Sequence, residues 1–203
     1  MMPSGSKRYR DMRRRLDELR STLLGFLPLP PQSKTTYSDK ELDLTRAYVV
    51  LVHAEIEHFC EHVILDKVDK VQKSFGATGK VSRSLRRLIA YNTGKNRKSW
   101  HEVIVPSSPI VLAATEAHRQ GVRNNQGVKR ANLEKLLFPI GIVESDLDTA
   151  WLAQMDSFGV NRGGLAHNSI RVLNPPDPGS ELKNVNQILQ GLLDLDRKMS
   201  RLP

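Results

Sequence analysis

Five apolar residues, Val49, Val52, Ile56, Phe59 and Val63, recur at intervals of 3, 4, 3 and 4. That is the period of one face of an α-helix and not the strict alternation of a strand. The stripe predicts a long helix over about residues 39–74, capped by Ser38 and Asp39. A helix with so long an apolar face needs other helices to cover it, and the rest of the chain supplies them. Leu16, Leu19, Leu23 and Leu24 mark a helix over 7–24, and Leu85, Leu88 and Ile89 a short one over 82–91. Pro109 can open a helix over 110–121, and Pro139 stops another over 128–137. Ser145 is placed as the N-cap of a helix over 146–158 that turns Leu147, Trp151 and Phe158 inward. Leu182, Val185, Leu189, Leu192 and Met199 share one side of a last helix over 181–202. No segment reads as a strand, and aromatic residues make up only 5% of the chain. The expected fold is therefore all-α: a helical bundle around a long central helix, with an extra helix at the N-terminus. Pro28, Pro30 and Pro31 divide the chain into a basic helix and linker, residues 1–33, and a helical domain, residues 34–203.

Charge points to the class of partner. The net charge is +9, which attracts polyanions, so nucleic acid or an anionic membrane is the first expectation, against the plainer reading of a charge that serves solubility. From Lys67 to Lys98 there are ten Lys or Arg residues and a single acid, Asp69. That run is either a solvated face or a surface for phosphates. Cys60 is the only cysteine. It excludes a disulfide framework within the chain and reads as a packing residue. No secretory signal and no run long enough to span a bilayer is evident, so the expected setting is cytoplasmic, with no membrane partner.

The chemistry-bearing residues are few. His58 and His62 stand four apart on one helix face, as helical zinc ligands do, but no third ligand accompanies them. Gly-rich phosphate loops are absent, so neither a metal nor any other cofactor is expected. The densest polar stretch is Asn161-Arg-Gly-Gly-Leu-Ala-His-Asn-Ser169. A histidine can move a proton near pH 7. An arginine can stabilise the extra charge on a pentacovalent phosphorus. Arg162 and His167 thus carry what RNA cleavage needs when the RNA's own 2′-hydroxyl is the nucleophile. Asn161 and Ser169 are supporting candidates, and Glu55, which shares a face with His62, is a more distant one. The spacing alone decides nothing: with 18 arginines and 6 histidines, chance supplies roughly one or two such pairs, and Arg46 with His53 is another. The competing reading is a helix C-cap at Gly163 or Gly164 with Arg162 near the negative helix end.

Three blocks together resemble the RiboL-PSP branch of the HEPN superfamily of helical ribonucleases. They are Leu42-Asp-Leu-Thr-Arg-Ala-Tyr with His53-Ala-Glu-Ile-Glu-His-Phe, then Gly127-Val-Lys-Arg-Ala-Asn-Leu-Glu-Lys-Leu-Leu-Phe-Pro-Ile-Gly141, then Asn161–Ser169. The resemblance runs from about residue 40 to 170. The basic first helix, residues 7–24, is not assigned to the family core. The resemblance implies a metal-independent endoribonuclease in which His167 transfers protons and Arg162 stabilises the phosphate. The products are a 2′,3′-cyclic phosphate and a 5′-hydroxyl. It also implies a homodimer whose two chains share one site, and a setting in bacterial defence or a toxin–antitoxin pair with an antitoxin or defence partner protein. The alternative is a non-catalytic HEPN-like module that binds RNA or protein.

Overall fold

Ser38 opens the central helix through a reciprocal cap: its side chain accepts from the Glu41 N–H while the Glu41 carboxylate accepts from the Ser38 N–H. The helix then runs for 40 residues, about 60 Å at 1.5 Å per residue. It ends where Gly79 takes the left-handed conformation, at φ +66°. The computed structural model describes residues 5–28, 36–93, 107–167 and 176–202. Among these, the helices are α1 (Lys7–Leu23), α2 (Asp39–Thr78), α3 (Arg83–Thr93), α4 (Ser108–Arg123), α5 (Arg130–Leu137), α6 (Thr149–His167) and α7 (Pro178–Arg201). Short 3-10 turns cover Phe138–Ile140 and Glu144–Asp146, and no strand occurs among the described residues. The all-α bundle around a long central helix is the fold.

α2 packs against α1, α4, α6 and α7. Its buried row is Val49, Val52, Ile56, Phe59 and Cys60, then Ile64, Val68 and Val71. Val63 is only partly buried, because an α-helix drifts away from a 3.5-residue repeat and brings Cys60 and Ile64 to the inside. α1 joins the same core: Tyr9 meets Phe59 edge-on at 6.0 Å, and its hydroxyl donates to the Leu189 carbonyl at 3.0 Å. Ser6, the N-cap of α1, donates from its N–H and hydroxyl to Asp196 of α7 at 2.7 and 2.6 Å. All five residues expected on the inner side of the last helix are buried.

Two boundaries differ from expectation, and both bear on the site. Ser145 lies within the 3-10 turn, and Asp148 caps α6 instead, its carboxylate accepting from the Trp151 N–H at 2.8 Å. Nor does the helix stop at Phe158. It continues through Gly163 and Gly164 to His167, and neither glycine has a positive φ, so neither forms a left-handed C-cap. Two glycines cost a helix about 1 kcal/mol each. Leu165 is buried two turns beyond Phe158, so the apolar face continues past the glycines and tertiary packing decides. The Arg–His stretch therefore rides on a helix and does not follow one.

Packing of α6 against α7 sets its position. The Trp151 indole lies over Gly191, where a Cβ would fall 2.2 Å from a ring carbon, and its N–H donates to the Ile188 carbonyl at 3.1 Å. On the side of α5, Lys129 crosses Gly159, where a Cβ would meet its chain at 2.7 Å.

Candidate functional site

Two of the three sequence blocks, 109 residues apart when counted from His53 to Arg162, contribute walls to one cleft, and the remaining block begins at Gly127, which binds the wall residue Glu57. It has a volume of ≈ 510 Å³ and is walled by Glu57, His58 and Glu61 of α2, by Arg123, Asn125 and Gln126 at the α4–α5 connection, and by Arg162 of α6. Helical spacing puts Glu57 and Glu61 on one face of α2, with His53 one turn earlier.

The α4–α5 connection is fastened to that face. Gly127, at φ +124°, donates its N–H to Glu57 Oε1. Asn125 Nδ2 donates to Glu61 Oε1 at 3.0 Å and to the Gly127 carbonyl at 3.0 Å, while Asn125 Oδ1 accepts from Asn132 Nδ2 at 3.2 Å. Only a residue free to take positive φ lets the chain turn its N–H onto Glu57 here.

Beneath the cleft lies His53, 2% exposed, with its ring 5.5 Å from that of Phe158. Burial, with the positive Arg162 second, holds its pKa down to about 4, so it is neutral at pH 7. Its Nδ1 has no hydrogen-bond partner and stands 3.7 Å from Glu57 Oε2. Burial raises the Glu57 carboxyl, and so does Glu61, whereas the Gly127 N–H and Arg162 act against the rise. Arg162 is half-buried, and its Nε is closed to solvent without a hydrogen-bond partner. A buried guanidinium N–H left unmet is costly, and no described residue accepts from this one.

The sequence-chosen residues separate in space. Arg162 lines the cleft. His167 is the last residue of α6, five positions on and therefore about 140° round the helix from Arg162. Its side chain lies outside the described residues, as do Ser169 and the basic segment 95–100. Asn161 turns to the other flank, where its amide donates to Glu181 Oε1 at 2.9 Å. Glu55 faces α1 and pairs with Arg15 at 3.4 Å, away from the cleft. The carboxylates that meet Arg162's cleft are Glu57 and Glu61, and their signal was the four-residue spacing from each other and from His53. Of the basic run, Lys67 is buried against the Leu202 carbonyl and its amine is pushed down by burial.

His58 and His62 stack with ring centres 3.8 Å apart, and no group of three metal-ligating side chains forms among the described residues. Cys60 is buried, which raises its thiol to about 12. No described helix is long and apolar enough to cross a membrane.

A family model described as RiboL-PSP-HEPN matches residues 10–198, from within α1 to near the end of α7. No curated protein and no solved structure matches the chain.

Proposed function

The chain belongs to the RiboL-PSP-HEPN family, whose HEPN-type domains are often ribonucleases or RNA-binding modules, and on that footing we propose that it is a metal-independent endoribonuclease acting through Arg162 and His167. The observation that carries the reading is a cleft in which Arg162 of α6 stands with Glu57 and Glu61 of α2, its guanidinium Nε without a hydrogen-bond partner among the described residues.

In this scheme the phosphodiester lies against Arg162. The RNA 2′-oxygen bonds to the adjacent phosphorus as its proton passes to a base. The bond to the 5′-oxygen then breaks, and that oxygen takes up a proton, leaving a 2′,3′-cyclic phosphate and a 5′-hydroxyl. His167 moves the proton, and Arg162 offsets the charge that builds on the phosphoryl oxygens. Glu57 orients Arg162 from below and holds the α4–α5 connection closed.

His167 follows Arg162 by five residues, about 140° of helix, which favours a site completed by the same residues of a second copy of the chain. The open face of α6 suits such an approach: Val160 is 61% exposed, and beyond its own helix no described residue lies within 4 Å of a Cβ built at Gly163. The setting proposed is bacterial defence or a toxin–antitoxin pair in the cytoplasm, where a partner protein restrains the enzyme.

Purified protein incubated with a mixed RNA pool in EDTA, beside His167→Ala, tests the reading. Cleavage by the parent alone supports it. Equal cleavage by both, or by neither, overturns it. The second reading is a binding module, and the charge balance of the cleft favours it, because Glu57 and Glu61 can match Arg162 and Arg123 without any substrate. Salt-dependent RNA binding without cleavage, unchanged in Arg162→Ala, identifies that case.

A further inference from the structure

Asn161 sits next to Arg162 in sequence but opens onto a different cavity, between α6 and α7, with a volume of ≈ 480 Å³. That volume is within the range of small-molecule sites, about 300–1,000 Å³. Its walls mix apolar residues, among them Phe158 and Ile188, with polar ones, among them Gln154 and Asn184, and Glu181 with Asn161 also lines it. Glu181 is 7% exposed. Its Oε1 accepts from Asn161 Nδ2 at 2.9 Å, and its Oε2 is buried without any partner. Burial raises this carboxyl, and Asp177 adds to the rise while the Asn161 bond opposes it.

A carboxylate only accepts hydrogen bonds, and an unmet buried oxygen is one of the costlier defects a fold can retain. Packing does not require it, since an apolar residue of similar size would fill the α6–α7 contact without the penalty. The Glu χ3 torsion is broad, so a small rotation brings Oε2 to the cavity while Oε1, which can accept twice, keeps the Asn161 bond. What fits is a planar group with an apolar face and two adjacent N–H donors on one edge. Guanine offers that edge in N1–H and N2–H. Uracil sets its single N–H between two carbonyls that repel a carboxylate, and adenine and cytosine set one amino group beside an unprotonated ring nitrogen. RNA-binding sites read unstacked bases in this way, by hydrogen bonds to the Watson–Crick edge beside an aromatic ring.

We propose that the α6–α7 cavity is a guanine-binding subsite, in which Glu181 accepts from N1–H and N2–H and Asn161 holds the carboxylate in place. The cavity shares helix α6 with the Arg162 cleft. The proposal deepens the RNA-directed reading above and rests on it.

Calorimetric titration of the full chain with guanosine, adenosine, cytidine and uridine 5′-monophosphates tests it. The expected result is binding of the guanosine nucleotide at least tenfold tighter than that of the uridine nucleotide. Glu181→Gln keeps the shape and the Asn161 contact but puts an amide where an acceptor is needed, and it weakens guanosine binding at least tenfold. Ala153→Met, on the exposed rim, fills the cavity without touching Glu181 and abolishes binding; it decides the question if Glu181→Gln does not fold. Equal affinity for all four nucleotides, or unchanged affinity in a folded Glu181→Gln, overturns the proposal. So does preference for an arginine-bearing peptide, which would make the carboxylate a protein contact. Guanine selectivity without RNA cleavage overturns the nuclease reading and leaves the subsite standing; RNA cleavage without base preference does the reverse.

Discussion

Glu55 and Glu57 stand two residues apart on α2, and replacing each by alanine separates a surface pair from a structural tie. Glu57 accepts from the Gly127 N–H and, at 3.4 Å, from Asn125 Nδ2. A hydrogen bond to a charged group contributes about 1.5–3 kcal/mol, and a buried N–H left without its acceptor is penalised by a similar amount. Burial already disfavours the ionised Glu57 and Gly127 is only half-buried, so the total falls to the low end of the two contributions together, and Glu57→Ala should destabilise the fold by about 2–3 kcal/mol. For a domain of this size that is a fall in Tm of about 4–12 °C. Glu55 meets Arg15 at 3.4 Å with both side chains substantially in solvent. Such a pair contributes at most about 1 kcal/mol, so Glu55→Ala should shift Tm by no more than about 4 °C. Thermal unfolding followed by circular dichroism reads both. Glu57→Gln keeps the acceptor for Gly127 but removes the charge facing Arg162, so its Tm stays near that of the parent while RNA cleavage falls. Equal shifts for the two alanine variants would refute the placement of Glu57 as the tie between α2 and the α4–α5 connection.

Acid sensitivity follows from two buried histidines. Burial lowers His53 and His118 from the ordinary 6.5 to about 4, so the unfolded chain takes up protons in this range that the folded one refuses. Stability complete at pH 7 is lost as pH falls from 6.5 towards 4, by on the order of 3 kcal/mol for each histidine, and a Tm constant across that window contradicts the assignment. Gly191→Ala drives a methyl into the Trp151 indole and should destabilise the protein by about 1–3 kcal/mol, with a change in tryptophan fluorescence; an unaltered urea midpoint counts against the α6–α7 packing. RNA affinity should fall linearly on a logarithmic plot against salt, and a flat plot removes the basic surface from the account.

Much of the fold could be read from periodicity alone, because Val49, Val52, Ile56 and Phe59 leave one way to build a long helix and one kind of partner to cover it. Where periodicity ran out, tertiary packing took over. Nothing local distinguishes Gly163 and Gly164 inside a helix from the same residues ending one; burial of Leu165 decides, and it depends on where α6 lies against the rest of the bundle. The site was legible at Arg162 but not at its neighbours. His53, Glu55, Glu57 and Glu61 are crowded into nine residues, and which carboxylates reach the cleft depends on α1 covering the Glu55 side. Asn161 looked like a companion of Arg162 because the two are adjacent in sequence, yet one residue is about 100° of helix, enough to turn it towards Glu181.

The central claim is that Arg162 acts on an RNA phosphodiester. Single-turnover cleavage of a defined RNA in EDTA, compared with the same strand carrying 2′-O-methyl groups and with Arg162→Ala, tests it most directly. The account predicts that the parent cuts only the unmodified RNA, leaving 2′,3′-cyclic phosphate ends, and that Arg162→Ala is slower by at least a hundredfold while its melting curve is unchanged. Cleavage of the methylated strand, or full activity in Arg162→Ala, would contradict it.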